Sequence, residues 1–278
     1  MNRSKLFLFD LRNGTRFIAK GFLIIPFFVS LVCFEFLLRL KETSLLNPQY
    51  ANAQPTLGDF AMYLFGGMKP YIPNPDEPFL FPVAWFLVFG ICLFLTLYYP
   101  VHDRETFGKM VIAYSGSRTK WWISKCSWVV SATVIYFICC WIVLIVNCLI
   151  YGGQFTLSVS PYMRDIFMLS ETVPPDQWSV CHVLLLMPPL IASACGILQM
   201  LLTLWVRPII CFLISAIIML ASAYFCVSVF IANYAFCIRS NVILTNGFSF
   251  TAGVLYSLVL SILCVLIGRH RFRNFNLC

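Results

Sequence analysis

Residues 102–125 read HDRETFGKMVIAYSGSRTKWWISK, a polar interval between two long apolar runs. Its first charged residues form an acidic–basic–acidic group at 103–105, and every charged residue after them in the interval is basic. Apolar residues, including Trp121 and Trp122, lie between these charges, so each half of the interval would carry one apolar and one charged face as a helix. The pattern favours a surface that receives a soluble partner. An ordinary solvated connector is the alternative.

The composition of the chain is that of a membrane protein. Of its 278 residues, 60% are hydrophobic and 11% are charged, and the mean hydropathy is +0.86, whereas soluble domains have about 45–50% apolar and about 25% charged residues. Apolar runs of about 18 or more residues are typical of membrane-spanning helices. The sequence therefore predicts one all-α, polytopic membrane domain over residues 1–278, with six spans at about 21–38, 79–99, 126–151, 180–206, 209–231 and 251–268.

The distribution of Lys and Arg predicts the orientation of the chain. Fourteen of the 19 Lys and Arg residues lie in the N-terminal segment, in the 102–125 interval, at Arg207 and in the C-terminal tail. Short cytoplasmic loops carry an excess of Lys and Arg, so both termini and the 102–125 interval are expected in the cytoplasm. The net charge of +8 then reflects topology and attraction to anionic membrane lipid. We expect a multi-pass protein of the bacterial cytoplasmic membrane that binds no nucleic acid.

The N-terminal segment has the pattern of an interfacial helix. Within residues 3–20, Lys5, Arg12, Arg16 and Lys20 follow one another at spacings of seven, four and four, which places them on one helical face. Apolar residues fall on the opposite face. The pattern predicts a basic amphipathic helix that lies in the cytoplasmic membrane interface with its apolar side down. A polar flank that only sets the topology is the other interpretation.

Several residues within the predicted spans are candidates for a transport pathway. Glu35 is the only carboxylate in a span, and an acid within the membrane is a functional candidate by default. Arg39 lies one helical turn further on, however, and an ion pair between the two gives Glu35 a structural role, which we favour. Two adjacent prolines are expected to kink or interrupt the fourth span, for packing or for a pathway. The candidate pathway residues are Glu35, Asn147, Pro188, Pro189 and Gln199.

The thirteen cysteines follow no metal-binding pattern. Most lie within apolar runs, where cysteine behaves as a small hydrophobic residue, and the spacings of a zinc site do not occur. We therefore expect no metal site. Cys148, Cys181 and Cys237 fall near the outer surface, and disulfide pairing among them is left open.

Enzyme signatures are also missing from the sequence. There is no HExxH and no GxSxG, and the Gly108-Lys109 pair lacks the upstream glycine of a Walker A loop. We therefore expect no catalytic residue, no cofactor in this chain and no ATPase site of its own. An enzyme embedded in the membrane, which would depend on a residue such as Glu35 or His182, is the least favoured class.

The 102–125 interval resembles the inner loop of a known family, the permease subunits of ABC-2 type ABC transporters. In such permeases an acidic, a basic and an acidic residue are followed by glycine, an apolar stretch, Ser-Arg and a Lys at the start of the third span. Ser115-Gly116 stands where proline is common, and Trp121-Trp122 is bulkier than usual. The resemblance covers the whole chain in topology but only this interval in motif. The matching positions are Asp103-Arg104-Glu105-Thr106 with Gly108, the apolar Met110–Ala113, Ser117-Arg118 and Ile123-Ser124-Lys125.

The resemblance implies that the chain is the permease subunit of an exporter. Two copies, or two related chains, would form the translocation path, and a separate cytoplasmic ABC ATPase subunit would bind ATP and Mg and dock on the 102–125 loop. The cargo would be a peptide, a lipid-like compound or a drug. The resemblance implies that Trp121 and Trp122 anchor the loop in the inner membrane interface, and that the ATPase-coupling residues are Asp103, Arg104, Glu105, Thr106, Gly108, Ser117, Arg118 and Lys125.

The resemblance also implies partners for the acidic residues of the loop. Asp103 and Glu105 would pair with basic residues of the ATPase or brace the loop against Arg118. A different class of function remains as the alternative, a non-transporting membrane scaffold or sensor that binds a cytoplasmic partner through the same loop. Transport predicts ATP turnover that depends on cargo, whereas a scaffold predicts partner binding without turnover.

Overall fold

The computed structural model describes residues 3–73, 78–106, 117–169 and 177–273. Within these residues the chain is all-helical, with short 3₁₀ turns and two isolated β-bridges but no β-strand, which confirms the predicted all-α class. The helices are α1 (Arg3–Phe22), α2 (Ile24–Leu46), α3 (Leu57–Phe65), α4 (Val83–Glu105), α5 (Arg118–Ile150), α6 (Tyr162–Ile166), α7 (Gln177–Leu202), α8 (Pro208–Tyr224) and α9 (Phe250–Arg273).

Four helices are long and apolar enough to cross a membrane by themselves. They are α4, α5, residues Ser179–Leu202 of α7, and α9. The pair α1 and α2 is bent by 43° and counts as a fifth candidate if the two helices form one span. The chain is therefore a multi-pass membrane protein with four to five candidate spans among the described residues.

Helix α8 is shorter than the predicted span 209–231. It ends at Tyr224 after 17 residues, a length of about 25 Å at 1.5 Å per residue, against a hydrocarbon core of about 30 Å. Asn233 holds the chain after this end, because its side-chain amide donates to the carbonyl oxygens of Phe225 and Val227 at 2.9 and 2.8 Å. The last seven residues of the predicted span therefore belong to an irregular segment.

Helix α7 runs through Pro188 and Pro189 without a break. An interruption was one of the two expected outcomes, and the structure does not contain it. Proline removes a backbone hydrogen bond, but a helix at membrane depth can stay continuous where neighbouring helices pack around it. Pro188 is buried among such neighbours.

The end of the bundle opposite the 102–125 interval is closed by a polar layer built on Asp59. Asp59 and Thr56 form a capping box at the start of α3. The buried Asp59 carboxylate also accepts from the backbone N–H and the hydroxyl of Ser160, both at 2.7 Å, and from the hydroxyl of Tyr162. These bonds join the start of α3 to Ser160 and to the start of α6.

Arg239 fixes the irregular segment after α8 to the end of α8 and to the residues that follow α3. Its guanidinium is buried and stacks on Phe236, with Cζ 4.3 Å from the ring centroid. Burial lowers the pKa of Arg239 to about 10. The guanidinium satisfies its donors with the carbonyl oxygens of Met68, Lys69, Ser222 and Ala223 and with Asn233 Oδ1.

Helix α1 packs against protein on the side predicted to be its apolar face. Its buried positions recur every four residues, at Leu6, Asp10, Gly14 and Ile18. The contact at Gly14 is so close that a Cβ there would lie 2.1 Å from Trp128 Nε1 in α5. The predicted basic face is exposed along its whole length. The helix is therefore part of the bundle rather than a segment that contacts only lipid.

Candidate functional site

A buried ion cluster lies at the end of the bundle where α1, α4 and α5 meet, which we call the basic end. Lys125 in α5 is 1% exposed, and its Nζ lies 2.6 Å from Asp10 Oδ1 and 2.8 Å from Asp103 Oδ2. Asp10 belongs to α1 and Asp103 to the last turn of α4. One ammonium therefore joins the consecutive helices α4 and α5 to α1, in which Asp10 lies 115 positions away in sequence.

Neighbouring side chains satisfy the rest of the cluster. The Tyr99 hydroxyl donates to Asp10 Oδ1 at 3.0 Å, and the Ser124 hydroxyl donates to Asp10 Oδ2. Trp121 Nε1 donates to Asp103 Oδ2 at 3.0 Å. A buried charge pair is tolerated when its remaining hydrogen-bonding groups also find partners. Because the cluster contains two carboxylates and only one ammonium, these neutral donors supply the other hydrogen bonds that the buried carboxylates need.

The end of α9 packs on the first turns of α5. Phe272 stacks on Trp121 with ring centroids 4.8 Å apart, and Trp122 Nε1 donates to the carbonyl oxygen of Val265 at 3.1 Å. Gly268 makes this contact possible, because a Cβ there would lie 1.9 Å from Trp122 Cζ2. We call residues 102–106, 118–125 and 269–273 together the platform.

Hydrogen bonds between side chains and backbone groups hold the ends of the platform helices. Arg104 donates to the carbonyl oxygen of Thr203 at 2.9 Å, which ties α4 to α7. Arg118 donates to the carbonyl oxygen of Arg273 at 3.0 Å, which ties the start of α5 to the end of α9. Ser117 caps α5 by accepting from the backbone N–H of Lys120.

The structure places several predicted coupling residues inside the protein. Trp121 and Trp122, expected as anchors in the membrane interface, are 2% and 1% exposed and pack on α9. Asp103 and Lys125 are buried as partners of each other. Lys125 and Trp121 both contact Asp103 Oδ2, so the structure pairs Asp103 with Lys125 and not with Arg118. Pairing of Asp103 with the ATPase stays a prediction.

Other predicted coupling residues remain on the surface. Glu105 and Thr106 are exposed, and Arg104, Ser117 and Arg118 are partly exposed. Thr106 donates to the carbonyl oxygen of His102 at 2.8 Å, and Glu105 lies 4.0 Å from Arg104. The remaining predicted coupling residue, Gly108, lies outside the described residues, as does the rest of 107–116.

The surface of the basic end carries almost only positive charge. In the described part of the chain, Asp10 and Asp103 are buried, so Glu105 is the one exposed carboxylate side chain at this end. The undescribed segment 107–116 contains Lys109 and no acidic residue. The exposed basic residues are Lys5, Arg12, Arg16, Lys20, Arg207, Arg269, Arg271 and Arg273.

The candidate pathway residues lie at separate places. Glu35 is exposed at the middle of α2, and Arg39 lies 3.6 Å from Glu42, so the structure shows that ion pair and not the expected pair with Glu35. A structural or pathway role for Glu35 stays a prediction. Asn147 is buried and donates to the Ser30 hydroxyl at 3.0 Å, which joins α5 to α2.

Gln199 differs from the other candidates because its buried amide is unsatisfied. The residue is fully buried in α7, and neither of its amide atoms has a hydrogen-bond partner among the described residues. Its position four residues before Thr203 places it on the side of α7 that faces Arg104. A pathway role for Gln199 thus remains a prediction.

Asp10 is a residue that sequence reasoning missed. It is the one acid among the basic residues before the first predicted span, and it lies four residues from both Leu6 and Gly14 on the buried face of α1. That spacing on an apolar face was the available signal. Its partner could not be read from sequence, because Lys125 lies 115 positions away.

Cysteines and metal-type side chains form no further site in the described residues. Cys148, Cys181 and Cys237, whose pairing was left open, are all free thiols. Among the described residues no three His, Cys, Asp or Glu side chains lie together in a way that could hold a metal ion.

Comparison with known proteins gives one family match. A family model described as "Protein of unknown function (DUF2705)" matches residues 61–278. The matched part includes α4, α5 and α9, and with them Asp103 and Lys125. No curated protein and no solved structure matches the chain.

Proposed function

Since the chain belongs to the DUF2705 family, whose description assigns no activity, we propose its function from the platform: it is the permease subunit of an ABC-2 type exporter. The permease forms the translocation path and couples through loop 102–125 to a separate ATPase subunit that binds ATP and Mg. Six spans cross the bacterial cytoplasmic membrane, with α8 as the short one, and both termini face the cytoplasm. A second copy or a related chain completes the path.

The observation that supports this proposal is the attachment of the platform to the spans. Asp10, Asp103 and Lys125 join α1, α4 and α5 in one buried cluster, while Trp121 and Phe272 join α5 to α9. Close-packed interiors transmit displacement instead of absorbing it. A partner that moves the platform would therefore move several spans together, as coupling to an ATPase requires.

The proposed cargo class follows from the apolar composition of the membrane spans. The spans are apolar and carry few charged side chains, which suits a peptide, a lipid-like compound or a drug with apolar surface.

The first test is purification of the tagged protein from its host in mild detergent, followed by identification of copurifying proteins and an ATP hydrolysis assay. We expect a stoichiometric soluble partner with a Walker A sequence, and less of it with Arg118→Ala. Arg164→Ala is the matched control, because Arg164 is an exposed arginine at the opposite end. Isolation of the protein alone, or with a partner that binds no nucleotide, contradicts the proposal; stable partner binding without turnover supports the scaffold.

The orientation has its own test in reporter fusions. A cytoplasm-active reporter fused after Arg273 is expected to be active, whereas the same reporter fused after Gly152, in the turn that follows α5, is expected to be inactive. The opposite pattern would place the platform outside the cell, where no ATPase subunit could reach it.

A further inference from the structure

We propose that the partner-binding surface includes the C-terminal end of α9 as well as residues 102–106 and 118–125, and that this composite surface binds an acidic patch of a soluble protein. The inference rests on the proposed function, in which that protein is the ATPase subunit. It reverses the charge of the contact expected from sequence, in which Asp103 and Glu105 bind basic residues of the partner.

The charge of the composite surface follows from what is buried. Asp103 and Asp10 form ion pairs with Lys125 in the interior. Two of the three acidic residues that the sequence places at the basic end are therefore absent from the surface. Glu105 remains exposed, close to Arg104. Complementary potentials steer association and set specificity, so the matching surface of a partner is acidic.

The end of α9 is fixed beside the loop. Arg118 donates to the carbonyl oxygen of Arg273 at 3.0 Å, and Phe272 lies 4.8 and 6.1 Å from the ring centroids of Trp121 and Trp122. Arg271 contacts the ring of Trp205 in the connection after α7, with Cζ 5.9 Å from the centroid. The start of α5 and the end of α9 therefore keep one relative position, which a specific protein contact requires.

The platform helices continue beyond their apolar stretches. The helical residues 269–273 add about 7.5 Å to α9 after Gly268, and residues 118–125 add about 12 Å before the apolar part of α5. Residues 269–273 expose only Arg269, His270, Arg271 and Arg273, because Phe272 is buried. Such a projection, with no exposed apolar side chain, suits a soluble protein.

Helix α1 shows the contrasting pattern of a lipid contact. Its basic face also exposes Leu8 and Phe9, at 61% and 36%, next to Arg12. Basic residues mixed with apolar ones are typical of helices that lie in the headgroup region. The two groups of cations at the basic end therefore serve different surfaces: α1 contacts anionic lipid and the end of α9 contacts the partner.

The test measures binding of the copurified ATPase subunit to the permease in nanodiscs of phosphatidylcholine at about 150 mM salt, where charges more than about 8 Å apart are largely screened. We expect the double variant Arg269→Glu/Arg271→Glu to weaken binding at least tenfold. Arg12→Glu/Arg16→Glu, the same charge change on α1, should stay within twofold of wild type. Glu105→Gln should bind as tightly as wild type or more tightly.

Three results would overturn the inference. Binding by Arg269→Glu/Arg271→Glu within twofold of wild type would show that the end of α9 is not in the contact. Loss of binding in Glu105→Gln would show that the partner surface is basic. If the α9 variant binds the ATPase subunit normally and loses only its binding to vesicles of anionic lipid, the end of α9 is a lipid contact. An unchanged melting temperature of each variant shows that folding is not the cause.

The failure of this inference is distinguishable from failure of the proposed function. If wild type binds an ATPase subunit and the α9 variant binds it equally, the exporter proposal stands and the composite surface is wrong. If wild type recruits no nucleotide-hydrolysing protein, the exporter proposal itself is wrong.

Discussion

The ammonium of Lys125 and the carboxylate of Asp10 lie 2.6 Å apart in the interior of the protein, although 115 positions separate them in sequence. The same ammonium lies 2.8 Å from Asp103. The start of the chain is thereby tied to the helices that flank the 102–125 loop. Lys125 therefore lies in the protein interior and not on an exposed loop surface.

The cluster predicts unequal effects of removing its members. Lys125→Met leaves two carboxylates buried without a counter-charge, and we expect a loss of about 3–5 kcal/mol of unfolding free energy. Asp10→Asn keeps the ion pair of Lys125 with Asp103 and should cost about 1 kcal/mol. Thermal unfolding in detergent measures both, with Lys120→Met as a control for loss of a partly exposed lysine. Equal effects of the two variants would contradict a shared buried cluster.

Two glycines give a matched test of packing at the platform. Gly268→Ala pushes a methyl group into the Trp122 ring, and overpacking of this kind costs about 1–3 kcal/mol. A Cβ added at Gly90 in α4 would have no heavy atom within 4 Å apart from its own stretch of helix. Gly90→Ala should therefore raise the free energy of unfolding by about 0.5–1 kcal/mol. Melting temperatures should therefore shift in opposite directions. A neutral Gly268→Ala would mean that α9 does not pack on α5 this closely.

The polar layer at the other end predicts a large effect at Asp59. Asp59→Ala removes the capping box and leaves the buried donors of Ser160 and Tyr162 without an acceptor. Each buried donor left unsatisfied costs about 1–3 kcal/mol. Asp165→Ala is the control, because that exposed carboxylate accepts one bond from Asn47 and should cost less than about 1 kcal/mol. Similar melting temperatures for both variants would rule out the layer as described.

The cysteines predict a labelling pattern. Cys237 is fully buried, and burial raises the pKa of its thiol, so a maleimide should modify it only after unfolding. Cys226 is exposed and should react in the folded protein. Mass spectrometry of peptides labelled before and after unfolding separates the two. Because Cys148, Cys181 and Cys237 are free thiols, omission of reductant should leave their final labelling unchanged, and a reductant requirement would reveal a disulfide.

The candidate site was only partly predictable. The sequence identified the 102–125 interval between two apolar runs and the excess of Lys and Arg on one side of the membrane. It assigned Trp121 and Trp122 to the membrane interface, whereas the structure buries them against α9. Apolar periodicity cannot separate these cases, because lipid and protein interior are both apolar surroundings for a helix.

What the sequence determined by itself is the class of the protein: an all-helical, multi-pass membrane chain whose basic residues gather at one end. Those features follow from local composition, since run length and charge count do not depend on which helices meet. Tertiary structure alone decided that Asp10 meets Lys125, that Asp103 is withdrawn from the surface, and that the end of α9 lies beside Arg118. Each of these joins positions on different helices, and only packing selects which polar groups pair once water is excluded.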